Sequence, residues 1–500
     1  MATQVTNKRT DGSDFTNTDY TKVKPFPKKR SLPNLNADLL QNVDMEEPGQ
    51  YELVECVIQT KLMSVDVSIM VESFSIYESI FKTFVTGSIT LLDRIDFLSE
   101  TKLTGTEPVF IKFRTLGSKH TIDIELMVSK VKEMEKVNEI SNRYVLSLIS
   151  PEFIKDARSK VSRSLEGSYS DMVKTLYYDY LGASVPLWLE ETRNNNRIII
   201  PNKSPVDAIN MIAQFCVSKM AFNVSFLFFQ TTKSFQFRSM SEMIIADRLE
   251  PQELTITFDK EITDPEVPIH TKATNAIEFE VSSGIDILKH TSLGTYGSSL
   301  ITHDIRSKTF SKTEFNYHST FGDDAEFNDY IKIHDHPLTP NGPVTKNRSN
   351  LSSFPDSEVD MTSSASVYQY QTLQNVPEFE ELDYESTILQ RRSEISAMNI
   401  QRANLKIGGM SGIQAGDIIN MHILTSNAAG GVGDKAKDVD NKLSGKWLIE
   451  SVTHTASEKY YCDIVLIRDA VPEKQDPYTE LNYALRPNNL IIASSGDNNR

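Results

Sequence analysis

Gly105-Thr106-Glu107-Pro108-Val109-Phe110-Ile111-Lys112-Phe113 and Gly416-Asp417-Ile418-Ile419-Asn420-Met421-His422-Ile423 are the two stretches whose reading decides the fold. In each, a glycine and an acid mark a turn, and an alternating apolar run then marks a half-buried strand. Working outward, each is followed by a strand around a central valine, Met127 to Glu133 about Val131 and Trp447 to His454 about Val452. After a polar turn each closes on a Tyr-led strand ending in Leu-Ile, Tyr144 to Ile149 and Tyr461 to Ile467. The pattern fits either one β unit used twice, over about 52–150 and 384–469, or two unrelated hairpins. If it is one unit, three copies of the chain can present six similar units around an axis.

The bulk numbers set limits on this. Five hundred residues exceed one hydrophobic core and predict several domains. The balance of 52 basic against 68 acidic residues gives −16, which argues against a broad phosphate-gripping surface. Three widely spaced cysteines, Cys56, Cys216 and Cys462, each in an apolar context, read as buried thiols of a protein built in a reducing compartment. The polar N-terminus shows no apolar leader, and no run is long enough to span a membrane.

Along the chain, residues 1–50 read as an extended arm, rich in Thr, Asn, Lys and Pro. Residues 51–150 alternate with period two and predict about six antiparallel strands; Gly87 is read as a bulge or bend. Residues 151–250 predict a small α+β domain. A helix there follows a cap at Ser170 and ends at Gly182, a second begins at Ser204-Pro205, and a hairpin turns at Thr231-Thr232. Residues 251–293 return strands to the β core, with Ile277, Phe279 and Val281 alternating with Glu278 and Glu280. Residues 294–383 form a polar insertion with few core-forming segments, Ser386 to Arg402 an amphipathic helix within a second β region at 384–470, and 471–500 a mobile tail.

Catalytic and cofactor signatures are scarce. His334-Asp335-His336 is the most metal-like triplet, but no further ligand set is spaced to complete it, so it reads as a solvated turn. Gly430-Gly431-Val432-Gly433 lacks the Lys-Ser/Thr of a phosphate loop. No catalytic residue, metal ligand or cofactor site is assigned.

Three segments together bring the chain close to a known family. Residues 55–150, with Phe74-Ser75-Ile76-Tyr77-Glu78-Ser79-Ile80-Phe81, Gly87-Ser88-Ile89-Thr90-Leu91-Leu92-Asp93 and Leu103-Thr104-Gly105-Thr106-Glu107, resemble the first tube-like domain of baseplate hub proteins from contractile-tailed bacteriophages. Ser386 to Arg402, Ile413 to Asp417 and Leu443 to Asp469 resemble that family's second tube-like domain, and Pro205 to Phe215 the domain between them. The resemblance implies a mainly β fold with an α+β insertion: two tube-like antiparallel sandwich or half-barrel domains, a small α+β domain and a long polar insertion. It also implies a non-enzymatic homotrimer in the virion tail, assembled in the host cytoplasm. That trimer would form a pseudo-sixfold ring around a DNA channel, between a hexameric tail tube protein and a trimeric central spike protein. Other baseplate proteins would meet the arm and the 294–383 insertion; sequence-specific nucleic-acid binding is not expected. Phe74, Ile76, Tyr77, Ile80 and Phe81, with Ile418, Met421, Trp447 and Ile449, are then candidates for core or inter-subunit packing. The alternatives are a tail-associated cell-wall hydrolase and a glycan- or receptor-binding tail module.

Overall fold

The computed structural model describes residues 47–472 except 62, 102, 117, 140, 194, 220–222, 250–253, 260–268, 284–285, 305–308, 318–331, 335, 338–357, 361–383, 427–436 and 441. The expected arm (apart from residues 47–50), the Gly430–Gly433 loop, nearly all of the C-terminal tail and much of the 294–383 insertion lie outside the described residues.

The chain opens with β1 (Tyr51–Gln59), β2 (Ser64–Asp66), β3 (Val71–Ser79), β4 (Lys82–Asp93), β5 (Pro108–Thr115), β6 (Thr121–Lys136) and β7 (Asn142–Ile149). An α+β region follows. It holds helices Pro151–Arg158, Tyr169–Thr175, Pro205–Ala213 and Met240–Leu249 with β8 (Val161–Ser168), β9 (Leu187–Leu189), β10 (Asn195–Lys203), β11 (Phe226–Gln230) and β12 (Phe235–Ser239). Then come β13 (Thr255–Phe258), β14 (Glu278–Ser283), β15 (Gly297–Asp304), β16 (Thr309–Asn316), β17 (His336–Pro337), β18 (Glu358–Asp360) and helix Tyr384–Ala397. The last strands are β19 (Gln401–Gly408), β20 (Ile418–Ser426), β21 (Lys437–Val439), β22 (Gly445–Ala456), β23 (Tyr460–Arg468) and β24 (Ala470–Val471). The fold is mainly β.

One sheet of 14 strands dominates, and it contains a single wiring twice. The first set runs β3-β4-β7-β6-β5 and the second β14-β19-β23-β22-β20. In chain order both read first, second, fifth, fourth, third, and every neighbouring pair within each set is antiparallel. The match extends to single residues around the first slip of each ladder; a second β6–β7 slip, between Lys132 and Glu135, has no counterpart in β22–β23. The β6–β7 ladder slips between Val128 and Lys130, and the β22–β23 ladder slips between Ile449 and Ser451. Since Met127 pairs with Ile149 and Leu448 with Ile467, the two slips fall at the same step, Ser129 matching Glu450 and Val131 matching Val452.

The acid-bearing turns coincide too. Thr106 N–H donates to Val128 O (2.7 Å) and Val128 N–H to Glu107 O (2.9 Å). Gly416 N–H donates to Ile449 O (2.9 Å) and Ile449 N–H to Asp417 O (2.8 Å). Thr106 at φ 74° therefore matches Gly416 at φ 87°, one residue along from the Gly105–Gly416 match that the sequence invites. The second set also begins earlier than 384. Its first strand is β14, the counterpart of β3, so the polar insertion sits inside this set.

The sets differ in what flanks and fills them. β1 lies antiparallel to β5, whereas β13 lies parallel to β20. One core continues through both: Phe74, Val109, Phe113 and Leu146 belong to the same buried cluster as Leu405, Met421, Trp447 and Ile464. The α+β region has its own core around Tyr177, Ile209, Phe228 and Phe235.

Several local expectations need correction. The helix after β8 is capped by Ser168, whose hydroxyl accepts from Asp171 N, and not by Ser170; Gly182 does end that stretch, at φ 58°. The helix expected over 386–402 stops at Ala397, because Gln401–Gly408 is drawn into the sheet against β23. Gly87 is no bulge: β4 stays in register with β7 across it. A Cβ there would come within 2.8 Å of Ser75 O, so the residue permits a close backbone approach. The 294–383 stretch is richer in structure than its composition suggests. β15 and β16 form an antiparallel hairpin, β18 joins it, and Tyr296 and Tyr317 build a small core with Ile400 and Val471. His334 is not in a solvated turn either; its Nε2 accepts the Lys446 amide at 2.9 Å.

Candidate interaction site at the seam between the two strand sets

The two sets meet where β3 pairs antiparallel with the second half of β22, Phe74 opposite Ala456 through Ser79 opposite Ser451. Ile80 N–H extends the contact to Glu450 O at 2.9 Å. β3 can serve this seam because its period-two pattern puts Phe74, Ile76, Glu78 and Ile80 on one parity, and all four are buried. Phe74 packs edge-on against Phe113 with centroids 4.8 Å apart, and Phe113 against Tyr460 at 5.5 Å.

Most of the sequence-nominated residues converge near this line. Phe74, Ile76, Met421, Trp447 and Ile449 lie in the continuous core, and Ile80 and Ile418 in a smaller cluster with Phe229 and Met243. All seven are buried within a single chain. Trp447 is held between Arg468, 3.9 Å above its ring, and the edge of Phe279 at 6.4 Å. Two candidates stay at the surface. Tyr77 is half-buried under Lys82 Nζ, 4.5 Å from its ring, and Phe81 at the β3–β4 turn is 40% exposed.

Sequence reasoning missed the acid at the centre. Glu78 is fully buried, and its carboxylate accepts Thr232 N–H at 2.7 Å and Ala415 N–H at 2.6 Å. It thus ties β3 to the β11–β12 turn and to the loop entering β20. Burial, the largest influence, pushes its carboxyl up to about 7; the two amides and Lys233 pull it down, and Asp417 pushes it further up. The signal was present, an acid on the apolar parity of an alternating strand. Around it Lys233 Nζ donates to Gly412 O at 3.0 Å and Gln414 Nε2 to Asp417 Oδ1 at 3.3 Å. Arg238, equally buried, donates to Gly416 O at 3.1 Å. Polar bonds therefore lock three segments to the seam.

The seam also holds a thiol–imidazole pair. His454 Nδ1 lies 2.7 Å from Tyr460 Oη and 3.5 Å from Cys462 Sγ, all fully buried. Burial pushes the Cys462 thiol up to about 12 and the His454 imidazole down to about 3, so both are neutral at pH 7 and no thiolate forms. Away from the seam, a polar cleft of about 550 Å³ is lined by Ser170, Lys174, Thr192 and Arg193. The cleft's Asp171–Lys174 and Glu191–Lys219 pairs are each closed at 2.9 Å. Among the described residues no group of three or more His, Cys, Asp or Glu is placed to hold a metal ion, and no helix is long and apolar enough to cross a membrane.

No family model and no curated protein matches the sequence. Solved structures do match. The tail protein from Neisseria meningitidis MC58 superposes with a TM-score of 0.50 at 10% identity, covering 84% of this chain and 98% of that one. The chain shares the fold of that tail protein. The 43 kDa tail protein of prophage MuSo2 from Shewanella oneidensis (TM-score 0.46, 9% identity, 84% and 100% covered) and the prophage tail protein gp18 from Listeria monocytogenes EGD-e (0.39, 7%, 86% and 97%) are also similar to it.

Proposed function

We propose that this chain is a structural hub of a phage tail baseplate. Three copies form a ring with pseudo-sixfold symmetry, joining a sixfold tail tube to a threefold central spike around a channel for DNA. The observation that carries the reading is the repeated strand order with its shared bulge and turn. A chain that builds one five-strand arrangement twice offers two similar surfaces, and three such chains offer six. The tail-protein fold supports the setting. The net charge of −16 suits a wall that DNA passes without sticking. The role is mechanical, with no catalysis. Within this reading the domain boundaries follow the earlier division, residues 51–150 and 384–470 supplying most of the two ring units, and the arm and insertion reach neighbouring baseplate proteins.

Sedimentation equilibrium of the purified chain tests this. A species of three times the chain mass, which binds a tail tube or spike protein, is expected. A strict monomer at high concentration that binds neither overturns the reading.

A further inference from the structure

The thiol–imidazole pair at the seam lies on one hairpin. His454 on β22 stands opposite Cys462 on β23, and Ala456 stands opposite Tyr460. Side chains alternate along each strand, so His454, Tyr460 and Cys462 share the inward face. All three are fully buried. Room for the phenol comes from small neighbours: Ala456 faces it, and a Cβ at Gly409 would run into its ring. The strand wiring does not call for this trio. With Ile149 matching Ile467, Tyr144 of the first set takes the place of Cys462, and Asn142 that of Tyr460. Hydrogen bonding also leaves the trio short. Tyr460 Oη and His454 Nδ1 lie 2.7 Å apart, but His454 Nε2 is buried with no hydrogen-bond partner among the described residues. A core imidazole with one nitrogen unserved is a cost to the fold.

We propose that His454, Tyr460 and Cys462, with the Met410 carbonyl, form a tetrahedral site for a divalent cation of the zinc class, the ions that accept mixed sulfur and nitrogen ligands. The spacing around Cys462 Sγ carries the proposal. His454 Nδ1 lies at 3.5 Å, Tyr460 Oη at 3.6 Å and Met410 O at 3.8 Å from it. Bonds of about 2.3 Å to sulfur and about 2.0–2.2 Å to nitrogen or oxygen place tetrahedral ligands about 3.6 Å from the sulfur. The 2.7 Å between Nδ1 and Oη is a hydrogen bond, and it opens to about 3.4 Å when a metal ion replaces the shared proton. Charge balances as well. An ion in a fully buried site has to be neutralised by its ligands. The thiol and the phenol each release a proton to solvent as the metal–sulfur and metal–oxygen bonds form, which leaves a site of zero net charge, and no electron changes hands. The imidazole brings no proton to displace, because burial holds it down at about 3. Burial is the main influence raising the Tyr460 phenol and the Cys462 thiol, and Glu78 pushes both further up. That acid supplies the field that draws a cation; Lys233, which acts on His454, opposes it. Since every ligand is buried, the ion is taken up as the chain folds or as the hairpin opens. The site lies within one chain and does not depend on how copies assemble.

The test is refolding of the full, untagged, metal-stripped chain with cobalt(II), a spectroscopic stand-in for zinc, with circular dichroism to confirm the fold. The expected result is a thiolate-to-cobalt charge-transfer band, together with the strong visible bands of tetrahedral cobalt, and loss of both on adding zinc. Cys462→Ser should abolish the charge-transfer band. Cys56→Ser and Cys216→Ser, which remove the other two buried thiols, should keep it. Tyr460→Phe, a smaller change in the core, should keep the band and weaken cobalt binding by about tenfold or more. A refolded wild-type chain without the band overturns the site, whatever the variants do. A band that survives Cys462→Ser places the metal elsewhere and overturns it too, as does cobalt affinity unchanged by Tyr460→Phe.

Discussion

The first strand set, β3 to β7, and the second, β14 to β23, show how one arrangement is kept while its edges are put to different uses. The order of five strands, the bulge after Val128 or Ile449 and the turn bonds at Glu107 or Asp417 are held in common. Side chains are not: the strand positions of Leu126 and Leu448 correspond to Trp447 and Met127, one step apart along β22 and β6. Backbone pairing tolerates such exchange as long as inward parity is apolar. The connection from first to second strand is equally free, a tight turn at Ile80-Phe81 in one set and the whole of 284–400 in the other. Loop closure grows slowly with length, so a large insertion there costs little.

The largest expected effect breaks the comparison at its one occupied seam. Glu78→Ala leaves the Thr232 and Ala415 amides buried without an acceptor, and about 2–4 kcal/mol of stability should be lost; chemical denaturation measures it. pH sharpens the same point. The Glu78 carboxyl is pushed up from 4.5 to about 7, so between those values the folded chain holds a proton that the unfolded chain lacks. That stabilisation is complete below about 4.5 and is lost as pH rises through about 7. Glu190 and Glu394, also pushed up to about 7 by burial, contribute the same slope. Glu78→Gln should flatten the decline of melting temperature across this window; an unchanged slope would remove Glu78 from the account.

A smaller effect tests the matched turn. Gly416→Thr places a side chain at φ 87° with a Cβ 3.1 Å from Arg238 Nη2 and 3.3 Å from Phe229 Cζ, and should cost about 1–3 kcal/mol. The reciprocal Thr106→Gly relieves a non-glycine residue at φ 74° and should shift stability by about 1 kcal/mol or less. Equal losses from the two swaps would mean that the turns are not equivalent.

Much of this wiring was legible in the residues. Alternation marked β3, β5 and β20, and the valine-centred strands aligned correctly at Val131 and Val452, because parity and turn chemistry are local. What stayed hidden depends on distant partners. β14 was visible as a strand through Ile277, Phe279 and Val281, but its place as the counterpart of β3 is set by β19, more than a hundred residues on. The end of the helix at Ala397 is likewise dictated by pairing of Gln401–Gly408 with β23. At the seam, Phe74 and Ile76 were readable as apolar, as was Trp447 in the half of β22 paired with β20, whereas Glu78 acquires its role only from the amides of Thr232 and Ala415.

Electron microscopy of the purified chain, averaged without imposed symmetry, tests the central claim most directly. The account predicts a threefold ring in which the two strand sets of each chain alternate at six nearly equal positions. A particle without a threefold axis, or one with the two strand sets at unrelated radii, would contradict it.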